Sequence, residues 1–204
     1  MAYGDFSLDD VRAKLGTLLQ DMVLFEQLPV AEPSAWLLET LDRGKATAFL
    51  KEKSRSEFVV APILLEARER SGRAFSIYSG EGLNVDVARG LVGECDFVLS
   101  AAPPLPVVQA PIMIVLEAKR GEIDTALGQC AAQMVGAQLF NEKHGRGLPA
   151  VFGCVTTGEI WQFLRLHDST LAIDPTRLYL NNLGSILGMF EAIVAFCLPG
   201  LKAA

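Results

Sequence analysis

A continuous apolar run in the middle of the chain constrains the fold more than any other feature. Residues 112–116 are all apolar, which is typical of a central strand covered on both faces of a sheet. Residues 151–156 form a second apolar run rich in β-branched side chains and predict another buried strand. Between them, residues 123–141 are rich in Ala and Gln and predict a helix. Strands separated by a helix predict an α/β fold.

The rest of the chain adds helices and short strands around these two runs. Apolar residues recur at helical spacing in residues 9–25, and Ser34 is predicted to cap a second helix. Residues 79–82 predict a turn, and a polar link follows residue 166. The predicted elements are helices at 9–25 and 34–41, helical sequence at 45–70, strands at 75–79, 95–100 and 110–118, a helix at 123–141, strands at 151–156 and 160–166, and a helix at 183–196. This order predicts a mixed central sheet flanked by helices.

Length and charge narrow the classes of protein that fit. A chain of 204 residues suits one domain. The 18 basic and 24 acidic residues give a net charge of −6, which argues against a protein that coats nucleic acid nonspecifically but leaves room for a local basic groove. The four cysteines lack the short spacing of a zinc knuckle or redox pair and predict reduced thiols. Two histidines exclude a His-rich metal site.

The apolar C-terminal segment is predicted to be a core helix. Residues 183–198 contain Glu191 and are shorter than the ~20 residues of a membrane span. The first residues lack the long apolar run of a secretory signal. We therefore expect a soluble, cytoplasmic protein with no membrane partner and no organic cofactor.

Acidic and basic side chains converge where the central strand ends. Glu117 and Lys119 are two residues apart on a strand and share a face, and Asp96 begins the neighbouring strand. Two carboxylates form a hard-oxygen site of the kind that Mg²⁺ prefers. A nearby lysine can orient or deprotonate a water and offset developing phosphate charge. The residue set therefore predicts metal-assisted phosphodiester hydrolysis.

These residues resemble the PD-(D/E)XK nuclease superfamily. Asp96 is similar to its first acidic residue, with Cys95 where a proline usually stands, and Glu117-Ala118-Lys119 is similar to its (D/E)XK element. The resemblance covers residues 45–166 and implies a restriction-endonuclease-like, three-layer core. Residues 1–44 would be a helical N-terminal extension and residues 167–204 a helical C-terminal extension of the same domain. It also implies Mg²⁺, with Mn²⁺ as a substitute, a DNA substrate and a possible homodimer.

Two neighbouring helices carry further residues that the resemblance implies. Many members place a glutamate on the first core helix, and here Glu57 or Glu66 could take that role. They are nine residues apart and face opposite ways, so one of them can reach the metal, and we favour Glu57. Gln129 and Gln133 share a helix face and are similar to a glutamine motif of this superfamily. Their amides could bind a DNA backbone or hold the lysine.

Other interpretations compete with catalysis. The chain could be a nuclease-fold module that binds nucleic acid or a protein partner without cutting, or a different α/β enzyme in which Glu117 and Lys119 are structural. Lys45, Lys51, Lys53 and Arg55 could be the basic edge of a nucleic-acid groove or an ordinary solvated helix face.

Overall fold

The computed structural model describes residues 1–48, 52–119 and 121–199, which form an α/β fold around an eight-stranded mixed sheet. The strands are β1 (Leu18–Asp21), β2 (Ser76–Gly82), β3 (Glu94–Ser100), β4 (Ile112–Ala118), β5 (Val151–Thr156), β6 (Ile160–His167), β7 (Thr170–Ile173) and β8 (Leu178–Tyr179). The helices are α1 (Leu8–Leu15), α2 (Ala35–Ala48), α3 (Glu52–Arg55), α4 (Ala61–Arg70), α5 (Leu127–Lys143) and α6 (Leu183–Cys197).

The pairing of the strands puts β4 and β5 in the middle of the sheet. The order along the sheet is β1-β7-β6-β5-β4-β3-β2, with β8 beside β6. Strands β2, β3 and β4 form an antiparallel meander, and α5 then crosses over so that β5 lies parallel to β4. All seven residues of β4 are buried, because both neighbouring strands and both helical layers cover it.

Helices cover both faces of the sheet, as the order of elements predicts. One core lies between the sheet and helices α2, α4 and α6, and includes Leu37, Ile63 and Phe190. The other lies beneath α1 and α5, and includes Val11 and Met134. The predicted mixed sheet flanked by helices is therefore confirmed.

The prediction of one helix over residues 9–25 is wrong beyond Leu15. Helix α1 begins at a capping box, in which Ser7 Oγ accepts from the Asp10 N–H at 3.1 Å and the Asp10 carboxylate accepts from the Ser7 N–H. It ends before Gly16, whose φ of 71° is the left-handed conformation that closes many helices. Leu18–Asp21 then forms an exposed edge strand, β1, so the N-terminal extension is not purely helical.

Three other predictions needed correction. The turn predicted at residues 79–82 is strand, because β2 continues to Gly82 and Glu81 pairs with Cys95. The link predicted after residue 166 contains strands β7 and β8. The helix predicted at 34–41 continues to Ala48.

The described part of the helical stretch 45–70 carries an irregularity near its middle. Residues 52–70 are helical throughout, and Ser56–Val60 form a π-helical turn between α3 and α4. Such turns occur frequently at functional sites. This one contains Glu57 and begins three residues after Lys53.

Helix α6 is a core helix of this fold. Residues 180–197 are the described stretch whose length and mean hydropathy, 1.4, would suit a membrane span, and half of that stretch is buried. Phe190 packs edge-on against Trp161 and Phe163, with ring centroids 6.2 and 5.5 Å apart. This packing accounts for the apolar composition of the helix.

A candidate carboxylate–lysine site at the end of the central strand

The candidate site begins with Glu117, the penultimate residue of β4. Phe97 pairs with Leu116, which brings Asp96, the residue before Phe97, beside Glu117. On the other side, Glu117 pairs with Val155 of β5. The backbone of Glu117 therefore lies between two neighbouring strands, near the end of the central strand.

Three side-chain donors surround the Glu117 carboxylate, which is 1% exposed. The Lys119 ammonium lies 3.1 Å from Oε2. The amide of Gln129 donates to the same oxygen at 2.8 Å, and the amide of Gln133 donates to Oε1. Since all three donors approach a buried group, the orientation of this carboxylate is fixed.

Backbone hydrogen bonds hold the neighbouring residues in place. The Ala118 N–H donates to Asp96 Oδ2 at 2.7 Å, which ties the Asp96 side chain to the end of β4. The Lys119 N–H donates to the Thr156 carbonyl at 2.8 Å. The end of β4 is therefore attached to the strands on both sides, and the relative positions of Asp96, Glu117 and Lys119 depend on the sheet itself.

The environment of Glu117 changes its proton affinity. Burial, and then the negative charge of Asp96, raise the pKa of Glu117 to about 7, although the Gln133 amide and Lys119 oppose the change. Burial also raises the pKa of the Cys95 thiol, with Glu117 and Asp96 adding to the effect. A carboxyl with a pKa near neutrality is typical of functional sites, although structural networks also produce such shifts.

A cleft of about 650 Å³ opens between the α3–α4 region and strands β2 and β3. Asp96 lines this cleft, together with Glu57 and Lys53. The Lys53 ammonium is 3.9 Å from the Glu57 carboxylate, and both side chains are more than half exposed. Asp96 therefore lies beside Glu117 and also lines the cleft, whereas the buried Glu117 side chain is not part of the cleft wall.

The two glutamates of the first core helix have different positions. Glu57 lies on the wall of the cleft that Asp96 lines. Glu66 is 6% exposed, and its two carboxylate oxygens accept from the Ser34 N–H at 3.0 Å and from Ser34 Oγ at 2.7 Å. Glu66 is therefore engaged at the start of α2, and Glu57 has access to the cleft.

The glutamines of α5 contact a different partner from those that the sequence suggested. Both amides donate to Glu117, whereas the expectation was a DNA backbone or Lys119. Gln133 is fully buried, and its Nε2 also donates to the Glu94 carbonyl at 3.2 Å. The side chains of Lys119, Gln129 and Gln133 therefore all contact the Glu117 carboxylate. Asp96 lies beside it on the neighbouring strand.

The basic residues before the site have separate partners. Lys45 lies 3.8 Å from Asp42, and Arg55 donates to the Thr157 carbonyl at 3.2 Å. Lys53 lines the cleft, and Lys51 lies outside the described residues. Among the described residues of the proposed basic edge, Lys53 is the one that lines the same cleft as Asp96.

The sequence did not lead us to predict the N-terminal residues that pack against α5. Tyr3 is 1% exposed, and its hydroxyl occupies the space that a Cβ on Gly136 would need. The backbone of Ser7 passes so close to α5 that a Cβ on Gly128 would lie 2.6 Å from its Cα. The stripe of small residues Gly128, Ala132 and Gly136, at spacings of four, was the available signal that another segment packs closely on this helix.

Within the described ranges, no group of three or more His, Cys, Asp or Glu side chains is arranged to hold a metal ion. Asp96 and Glu117 therefore constitute a pair of carboxylates, to which solvent or a bound substrate would have to add ligands.

No protein-family model matches this chain, and no curated protein is significantly similar to it. The resemblance to the PD-(D/E)XK superfamily therefore rests on the order of Asp96, Glu117 and Lys119 and on their strand context.

Proposed function

We propose that this protein is a metal-dependent nuclease of PD-(D/E)XK type that hydrolyses phosphodiester bonds in DNA. The observation that carries the proposal is the buried Glu117 carboxylate beside Asp96 and Lys119 at the end of the central strand. The antiparallel meander β2–β4, the crossover helix α5 and the parallel strand β5 support a restriction-endonuclease-like core.

The carboxylate pair fits a hard divalent cation. Asp96 raises the pKa of Glu117 because two negative charges are close together, and a cation would relieve that repulsion. Mg²⁺ commonly takes one or two protein carboxylates and completes its shell with water and substrate phosphate. Asp96 and Glu117 would hold Mg²⁺ or Mn²⁺, and water and substrate phosphate would complete the shell, because Glu57 on the cleft wall does not form a group of three acids with them among the described residues. When bound, the cation would polarise the phosphate and lower the pKa of a bound water.

The other residues have roles that follow from their contacts. The Lys119 side chain is 27% exposed and forms an ion pair with Glu117. Its ammonium can therefore orient the attacking water and offset charge on the phosphate. Gln129 and Gln133 fix the direction of the Glu117 carboxylate. Lys53, on the wall of the cleft, supplies a positive charge for a backbone phosphate.

A cleavage assay with matched lysine variants tests this function. The native protein should nick supercoiled DNA or degrade a labelled oligonucleotide with Mg²⁺ or Mn²⁺, and EDTA should stop it. Lys119→Met should lower the rate by roughly 10²–10³ while keeping the rise in melting temperature that the metal produces. The control is Lys14→Met, because the Lys14 side chain is half exposed and bonds Asp10 and Met1 rather than a residue of the candidate site. Cleavage unaffected by Lys119→Met would contradict the assignment.

A non-catalytic binding module of the same fold is the second candidate function. This candidate is favoured because both carboxylate oxygens of Glu117 already bond Gln129, Gln133 or Lys119. The net charge of −6 also favours it. This alternative predicts binding of DNA or a protein partner without cleavage, and no change in melting temperature with Mg²⁺. Asp96→Asn separates the two, because it should abolish a metal-dependent rise in melting temperature only if the carboxylate pair binds the cation.

A further inference from the structure

A row of paired residues with polar ends crosses the sheet on the face that α5 covers. Glu117 pairs with Val155, and Val155 pairs with Gln162 of β6. Two interstrand spacings separate Glu117 from Gln162, a distance of roughly 10 Å between their backbones. Glu117 contacts α5, and Val155 belongs to the core beneath α5, so Gln162, which is paired with Val155, projects from the same face.

Gln162 holds the guanidinium of Arg177. The Gln162 amide is 6% exposed, and its Nε2 donates to the Asp174 carbonyl at 3.1 Å. That bond turns Oε1 towards Arg177, whose Nε donates to it at 3.2 Å. On the other side, Arg177 Nη2 lies 2.5 Å from Asp124 Oδ1. One buried acceptor, Gln162, and one exposed acceptor, Asp124, therefore orient a guanidinium that is one-third exposed.

The two acceptors of Arg177, Asp124 and Gln162, lie on elements that adjoin the candidate site. Asp124 lies in the turn Ile123–Ala126, between the end of β4 and the start of α5. Gln162 lies in the same row of the sheet as Glu117. A guanidinium is always charged, and its planar array of donors matches the oxygens of a phosphate.

We propose that Arg177 binds a backbone phosphate of the nucleic acid that occupies the site at Asp96, Glu117 and Lys119. This inference rests on the proposed function, because it extends the same substrate by one more phosphate. The competing possibility is that the Arg177–Asp124 ion pair only ties the turn before α5 to the C-terminal part of the chain.

The two possibilities predict opposite responses to substitutions at Arg177 and Asp124. If Arg177 binds phosphate, Arg177→Met weakens DNA binding, whereas Asp124→Asn preserves or tightens it, because a negative charge beside the phosphate is removed. If the ion pair is only a tether, both substitutions lower the melting temperature and neither changes DNA affinity specifically.

The experiment measures binding of a short fluorescein-labelled oligonucleotide, single-stranded and duplex, by anisotropy over a range of salt. All variants carry Lys119→Met so that the DNA stays intact in Mg²⁺. Arg177→Met should weaken binding roughly tenfold or more, and should reduce the slope of log affinity against log salt by about 0.7 for the single strand or about 0.9 for the duplex. Arg146→Met is the matched control, since Arg146 is exposed in the loop before β5, at the opposite end of that strand.

Arg177→Lys provides a second measurement if Arg177→Met does not fold. It keeps the charge and loses the planar array of donors, so it should retain the salt slope and lose part of the affinity. Unchanged affinity and salt slope in the folded Arg177 variants, in a protein that binds and cleaves DNA, would overturn this inference alone. A native protein that binds neither oligonucleotide would overturn the proposed function and this inference together.

Discussion

Replacing Glu117 with glutamine should change how the stability of the protein depends on pH. The buried carboxyl has its pKa raised from an ordinary value of 4.5 to about 7, because burial and Asp96 disfavour its charge. The folded protein therefore binds this proton more tightly than the unfolded chain does. Glutamine has nearly the same shape and carries no charge, so Glu117→Gln removes that proton equilibrium.

The sign and size of the effect follow from proton linkage. Below pH 4.5 the carboxyl is protonated in both states, and its contribution to stability is fully present. As the pH rises through 7, the folded protein also loses the proton and that contribution disappears. A tenfold difference in proton affinity corresponds to about 1.4 kcal/mol, so the loss amounts to about 3 kcal/mol.

The hydrogen bonds around position 117 can accommodate the amide. Gln133 Oε1 is buried and has no hydrogen-bond partner among the described residues. A rotation of the Gln133 amide would let that oxygen accept from a glutamine at 117. That rotation would give up the bond from Gln133 Nε2 to the Glu94 carbonyl, so the variant carries a destabilisation that does not vary with pH and leaves the predicted pH dependence unchanged.

Urea denaturation from about pH 4 to about pH 8.5, with EDTA present, measures the effect. The free energy of unfolding of Glu117→Gln minus that of the native protein should increase by about 3 kcal/mol across this range. Taking the difference at each pH cancels the titration of groups that do not interact with Glu117. A difference that stays constant with pH would refute the inference that Glu117 is a buried acid held near its neutral form.

Two further substitutions test the packing around the site. Gly128→Ala should destabilise the protein by about 1–3 kcal/mol in urea denaturation, because the new Cβ would lie 2.6 Å from Ser7 Cα and force one backbone to move; an unchanged free energy of unfolding would show that α1 can shift away. Glu66→Ala should cost about 1–3 kcal/mol, since Ser34 loses two hydrogen bonds at the start of α2. Its counterpart Glu57→Ala, on the exposed wall of the cleft, should change stability by less than about 0.5 kcal/mol; equal costs would mean that the two glutamates have similar structural roles.

The buried strands could be predicted from sequence because their side chains are apolar on both faces. Residues 112–116 and 151–156 leave no polar face that would fit a surface position, and both became central strands. The apolar residues at 18 and 19 were misleading, since their spacing matches a helix although they lie exposed on an edge strand. Gly16 was the local signal that the helix ends, and pairing with β7, far along the chain, makes the following residues a strand.

The site was predictable in its strand residues and less so in its helical ones. Alternation along a strand, together with strand adjacency, was enough to bring Glu117 and Lys119 together. Helical spacing placed Gln129 and Gln133 on one face but could not identify their acceptor, which depends on how α5 lies across the sheet. The choice between Glu57 and Glu66 required knowing the path of the chain at Ser34, a residue 32 positions away from Glu66.

The pairing of β1 with β7 has a consequence for the order in which the protein folds. Leu18 pairs with Thr170, so the chain must be synthesised as far as β7 before β1 has a partner. Contacts between residues so distant in sequence are entropically costly to form and slow folding. All four residues of β1 are exposed, and the strand adds to the sheet on one side. We therefore expect β1 to dock late on the sheet, and its amides to exchange with deuterium well before those of β4, which is buried throughout.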